Sequence, residues 1–279
     1  MKDRKRVKKI SGLSQINIDL KPKRSISDVY INTKFDVTNL VNYVEGKDIT
    51  YFHAFLTALA KTIYNRPKLN YFVCNRHLYL HTKVVISFVA KIKFDDKSEE
   101  VMVMIKVNDS DNIYTISTKI KEKIDNIRNK KVLKKGANNA IDKLGKLPNI
   151  VRVPIVGLFK LFDKYGILPK TLTKDNLYYS SMIVSNLGSI KCGAIYHNIN
   201  DFGTCSSLAT IGEIKNEIVV NDKLEKNIRK ICEFGINLDE RIADGYYFAK
   251  SNKLLEYILN NPDILEEEMS KKIKLEEIR

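Results

Sequence analysis

From Phe52 to Arg66 the apolar residues Phe55, Leu56, Leu59, Ala60 and Ile63 recur at helical spacing, and Pro67 follows. A residue before proline is driven away from the helical conformation, so this helix ends at Arg66. Its wide apolar stripe needs a sheet or another helix beneath it. Strand-like stretches flank it. "SDVYINTKFDVTNLVNYV" opens with β-branched and aromatic residues and passes into a polar-apolar pattern, which predicts a strand running into a helix. "HTKVVISFVAKIKF" and "EEVMVMIKV" read as strands, and the "DDKSE" between them is of hairpin length. A charged helix follows, over roughly residues 115–130. With 279 residues and 44% apolar content the chain can bury a real core, and one compact α/β unit is expected.

The net charge of +15 is concentrated in two places. Residues 1–9 hold six Lys/Arg against one acid, and residues 119–170 hold fourteen against four. Those two excesses account for all of it. The basic N-terminal arm, residues 1–19, and the central segment are therefore candidate contacts for phosphates on a cofactor, a membrane surface or nucleic acid. The same charge also fits solvated faces with no partner.

Residues 131–170 are unusual. "KLPNIVRVPIVGLFKLFDKYGILPK" is apolar and aromatic, is interrupted by Pro148, Pro154 and Gly157, and carries Arg152, Lys160 and Lys164. It is too short and too charged to span a bilayer. Such a mixture suits an interfacial helix or a flap over an apolar tunnel. It equally suits helices packed on the core with their lysines in water. The chain has no tryptophan, the residue that interfacial anchors favour.

Cys74, Cys192, Cys205 and Cys232 form no CxxC pair, and no apolar leader is legible ahead of them. Neither a disulfide framework nor a metal site is expected, and the expected compartment is the reducing cytoplasm, with peripheral membrane contact as an option.

"IVSNLGSI", followed after about twenty residues by "SLATIGEI", resembles the catalytic domain of the acyltransferase component of 2-oxo acid dehydrogenase complexes. Upstream, "KFDVTNLVNYV" and "ITYFHAFLTALAKTIYNRPKLN" are similar to that family's opening strand and helices, so the resemblance spans residues 20–265. It implies a chloramphenicol acetyltransferase-like two-layer α/β sandwich, a mixed sheet flanked by helices, over a single domain of residues 20–279. It also implies a homotrimer and coenzyme A, as acyl-CoA, for a substrate, with no metal. No lipoyl domain is legible, so a stand-alone catalytic-type domain without a lipoyl group is expected.

The family's closing motif, DHRxxDG, is DERIADG here: Asp239, Arg241, Asp244 and Gly245 match, and Glu240 stands at the histidine position. In the family that histidine takes a proton from a thiol, the thiolate attacks a thioester, and a serine of the neighbouring subunit donates to the oxyanion. By the SxLG match that serine is Ser185, a donor of a kind that contributes about 3–4 kcal/mol to the transition state. An ordinary glutamate ionises near ~4.3 and a thiol near ~8.5, so proton transfer to it is uphill by about 6 kcal/mol. Burial that raises the glutamate removes much of that gap, while Arg241, if close, works against it. Glu240 is thus a base with a raised pKa, a neutral hydrogen-bond donor, or no catalyst.

His197, in "AIYHNINDFGT", lies twelve residues after Ser185 and is the other candidate base, although a structural histidine fits the same position. "YHxxxDFGT" and "DERxADGYYFA" together also resemble short stand-alone acyltransferase-like relatives. His53 falls within the amphipathic helix, and His77 and His81 beside strands, where packing or surface roles are expected. Asp244 and Arg241 fit scaffold roles as well as chemistry. Three function classes remain: an acyltransferase with an altered site, a non-catalytic acyl-CoA binder or oligomeric scaffold, and a peripheral membrane or nucleic-acid-binding protein. Nucleic acid is the least expected partner.

Overall fold

Residues 3–91, 100–128, 143–221, 223–274 and 276 are described by a computed structural model of the chain. Six strands form the main sheet: β2 (Asp28–Asp36), β5 (Val84–Lys91), β6 (Glu100–Val107), β7 (Met182–Asn186), β8 (Ser207–Val220) and β9 (Lys226–Asp239), in the order β2-β9-β8-β7-β5-β6. Pairing is parallel for β5/β7 and β7/β8 and antiparallel elsewhere, which makes the sheet mixed. A small antiparallel sheet holds β1 (Arg4–Arg6), β4 (His77–His81) and β3 (Tyr71–Cys74). The main helices among the described residues are α1 (Gly12–Leu20), α2 (Thr38–Val44), α3 (Tyr51–Asn65), α4 (Ile113–Arg128), α5 (Asn149–Tyr165), α6 (Lys170–Thr173) and α7 (Gly245–Asn260).

The strand-then-helix at 28–44, the helix ending before Arg66 and the paired strands at 84–107 stand where the sequence predicts them. "DDKSE" itself, and residues 129–142 of the central segment, lie outside the described residues. Alternation sets which way each strand faces: Val84, Ile86 and Phe88 of β5 and Val103, Ile105 and Val107 of β6 are buried under the helical layer. α3 lies at the centre of that layer, capped by Thr50, whose side chain accepts from the His53 backbone N–H. Even Lys61 on it is buried, its ammonium donating to the Glu268 carbonyl.

The sequence and the structure differ at α5. The helix runs unbroken from Asn149 to Tyr165 through Pro154 and Gly157, with Pro148 at its N-cap. Pro154 removes one backbone donor and leaves the Ile150 carbonyl without its helical partner. Ile150 is 85% exposed, so water reaches that turn. The basic N-terminal stretch contributes β1, paired with β4, and then α1.

Two histidines are held neutral. His53 is 5% exposed with Ser117 Oγ 2.8 Å from its Nδ1, and burial, with the Lys121 charge, pushes it down to about 4. His81 packs on Phe72, and burial holds it down to about 4 as well. Both take a proton more readily in the unfolded chain, where histidine titrates near 6.5. Their contribution is therefore complete above about pH 6.5 and is lost as the pH falls toward 4, at most about 3 kcal/mol each. Urea midpoints are expected to drop between pH 6.5 and 4, and to drop less in His53→Asn. An unchanged pH slope in that variant would contradict neutral burial.

Candidate functional site

Ser185 sits near the end of β7, on the face of the sheet opposite the main helical layer, with Val184 turned into the core. It pairs with Thr210 of β8, which pairs in turn with Gly235 of β9. Beyond Ser185 the chain reverses tightly: Leu187 N–H donates to the Ile211 carbonyl and Cys192 N–H to the Leu187 carbonyl. Residues 193–201 then return across β8 and β9. Two glycines permit this. A Cβ on Gly188 would stand 2.6 Å from the Gly212 carbonyl oxygen, and one on Gly235 would stand 2.4 Å from the Ile195 carbonyl oxygen.

The return segment is fixed by side chains of the sheet. Thr210 Oγ1 accepts from Ile195 N–H at 3.2 Å and donates to the Ile195 carbonyl. Asn237, fully buried on β9, accepts from His197 N–H at 3.2 Å and donates to the His197 carbonyl, so its amide takes the place of a neighbouring strand. Asp28 on β2 accepts from Asn237 Nδ2 at 3.2 Å and from Ile199 N–H at 2.9 Å. Burial raises the Asp28 carboxyl against these donors. The outcome is a cleft of about 300 Å³ lined by Ser185, His197, Val89, Tyr178, Phe202 and Cys205, among others. A hydroxyl donor and an imidazole thus share one largely apolar cleft.

The DERIADG turn lies at the far end of β9. Asp239 is fully buried and accepts from Arg241 Nε at 2.8 Å and Nη2 at 2.7 Å, a two-pronged pair, and from Ser27 Oγ at 3.1 Å. Arg24 Nε is 3.9 Å from the same carboxylate. The Arg24 guanidinium also donates to the carbonyls of Val73 and Asp201, each at 3.2 Å, which ties the turn to the segment carrying His197. Glu240 is half-buried; its carboxylate pairs with Lys21 Nζ and its N–H donates to the Ser27 carbonyl. Asp244 is exposed and caps α7, accepting from Tyr247 N–H at 2.8 Å.

Within one chain Ser185 and His197 line the same cleft, and Glu240 and Asp244 of that chain do not line it. Glu240 stands just past the end of β9, five residues beyond Gly235, roughly 17 Å from the level of Ser185 in its own chain. Arg24, Asp28 and Asn237, which hold the site in shape, are not legible in the sequence: nothing marks residues about 200 positions apart as partners. Among the described residues no group of three or more His, Cys, Asp or Glu has the placement to hold a metal ion.

No protein-family model matches the chain, and no curated protein sequence matches it. Solved structures do. A probable dihydrolipoamide acetyltransferase from Listeria monocytogenes superposes with a TM-score of 0.59 at 18% identity, covering 92% of this chain and 95% of that one. The cubic core of the pyruvate dehydrogenase multienzyme complex gives 0.60 at 15%, covering 93% of each. A chloramphenicol acetyltransferase gives 0.54 at 10%, covering 94% and 99%. The fold is the chloramphenicol acetyltransferase-like one, an acyltransferase fold built on a mixed sheet.

Proposed function

We propose that the chain is a coenzyme A-dependent acyltransferase, related to the acyltransferase components of 2-oxo acid dehydrogenase complexes, that assembles as a homotrimer. The observation that carries this reading is the cleft shared by Ser185 and His197 in a fold common to such enzymes. His197 is the base: an imidazole nitrogen takes the proton of the coenzyme A thiol, and the sulfur attacks the acyl carbonyl. Ser185 donates to the oxyanion that forms, and collapse expels the acyl donor's leaving group, to which the imidazolium returns the proton.

The energetics favour this assignment. An ordinary imidazole titrates about 2 units below a thiol, an uphill transfer of about 3 kcal/mol, against about 6 for an ordinary carboxylate. Glu240, already paired with Lys21, anchors the DERIADG turn, and Asp244 acts as a helix cap. The same steps run in reverse, read as release of free coenzyme A thiol from a panel of acyl-CoAs with and without small hydroxyl or amine acceptors, test the reading. A protein whose melting temperature rises with acyl-CoA but which turns nothing over is a non-catalytic binder, and the catalytic assignment fails.

One observation favours a second property, contact with an anionic membrane surface. Ile150, Val153, Leu158, Leu161 and Tyr165 of α5 are exposed. Between residues 143 and 174 there are seven Lys/Arg, and the one acid, Asp163, is buried. Tyr179 and the Gly203 N–H bind that carboxylate and anchor the helix at its C-terminal end. No helix among the described residues is long and apolar enough to cross a membrane, so the contact is interfacial. Co-sedimentation with phosphatidylglycerol vesicles is expected to drop at least about tenfold in Ile150→Asp/Leu158→Asp. Equal sedimentation of variant and native chain would rule the contact out.

A further inference from the structure

On the same face of the sheet as Ser185, toward the start of β5, lies a second and larger cleft of about 580 Å³. Its floor is apolar and aromatic, formed by Phe72, His81, Val85 and Met104. The Phe72 and His81 rings are 4.4 Å apart between centroids. Thr204 closes the floor; it is buried, and its hydroxyl has no hydrogen-bond partner among the described residues.

The rim is strongly basic, with seven cationic side chains against two carboxylates. One of those carboxylates, Asp3, is already shared between Lys83 at 3.2 Å and Lys170 at 3.6 Å. Lys119 is paired with Asp111, and Arg4 stands over the Tyr79 ring at 4.5 Å. Lys106, Lys123 and Lys174 are left without an ion-pair partner among the described residues. Like charges gathered around a recess repel one another and focus a positive potential into it. A phosphoryl group, with its multiple charge and several acceptor oxygens, relieves that repulsion and matches ammonium donors. The apolar floor calls for a non-polar body on the same molecule.

We infer that this cleft binds a phosphorylated small molecule, its phosphoryl group held by Lys106, Lys123 and Lys174 and its apolar or aromatic body lying on Phe72, His81 and Met104. The site is distinct from the Ser185 cleft. Val85 lines one and Val89 the other, roughly 13 Å apart along β5. Between them Ser180 covers Ser87, their hydroxyls 2.7 Å apart. The inference does not depend on acyl transfer.

Calorimetric titration of the full chain with pyrophosphate, with ADP, and with vesicles of phosphatidylcholine with and without phosphatidic acid tests it. Pyrophosphate is expected to bind, more weakly as salt rises, and ADP more tightly, because its ring can use the floor. The Lys106→Ala/Lys174→Ala variant is expected to lose at least about tenfold in affinity at an unchanged melting temperature. Lys223→Ala/Lys226→Ala, two exposed lysines of the distant β8–β9 turn, is expected to lose less than about twofold. A preference for ADP identifies a soluble phosphate ester and a preference for phosphatidic acid vesicles a lipid headgroup; either supports the site where Lys106→Ala/Lys174→Ala lowers the binding, whereas binding through α5 alone leaves that variant unchanged and overturns the inference. No binding of any of these probes, or equal losses in the two variants, would overturn it.

Discussion

Asp239→Ala is expected to lower stability by about 3–5 kcal/mol, a large part of the 5–15 kcal/mol typical of a folded chain. The carboxylate is fully buried between Arg241, which grips it twice, and Arg24. Those arginines are themselves only 5% and 3% exposed. Burial pulls the Arg24 guanidinium below its ordinary pKa, and Asp239 is the main charge opposing that pull. Removing the carboxylate leaves two like charges in a dry site, which costs far more than the loss of an exposed ion pair. Asp239→Asn keeps an acceptor for Ser27 and Arg241 and is expected to lose less, about 2–3 kcal/mol. Urea unfolding measures both, and a loss under about 1 kcal/mol for the alanine variant would mean that water reaches the pair.

The second large effect is on turnover. His197→Asn keeps the backbone bonds to Asn237 and removes only the imidazole, so the acyl-transfer rate is expected to fall about 10²- to 10⁴-fold with the fold intact. Ser185→Ala is expected to cost about 10²- to 10³-fold, mainly in kcat, because the hydroxyl acts on charge that develops in the transition state. Glu240→Gln breaks the pair with Lys21, but Glu240 lines no part of its own chain's cleft, so a change of less than about threefold is expected. Asn237→Ala removes the clamp on the His197 segment without removing either reacting group. It separates positioning from chemistry: a higher KM with kcat nearly kept points to a loosened cleft.

What could be read from the chain in advance was local. α3 was legible because Phe55, Leu59 and Ile63 repeat at helical spacing and Pro67 stops the repeat. β5 and β6 were legible as short runs rich in Val, Ile and Phe, although which residues of each run face the helical layer was not. β1, β3 and β4 were not, since strands of three to five residues are too short to show a period. α5 was misleading, because Pro154 and Gly157 read as breaks while an exposed helix keeps its missing bond in water. Ser185 and His197 were both candidates from motifs, yet their meeting in one cleft depends on the return of 193–201 across the sheet. That return depends on Thr210, Asn237 and Asp28, whose partners are distant in sequence.

The most direct test of the catalytic assignment is free-thiol release from acyl-CoA by the native chain, His197→Asn and Glu240→Gln under identical conditions. The geometry predicts release by the native chain and by Glu240→Gln, and its near abolition in His197→Asn. Release that survives in His197→Asn and vanishes in Glu240→Gln would contradict it and move the base to the DERIADG turn of a neighbouring subunit.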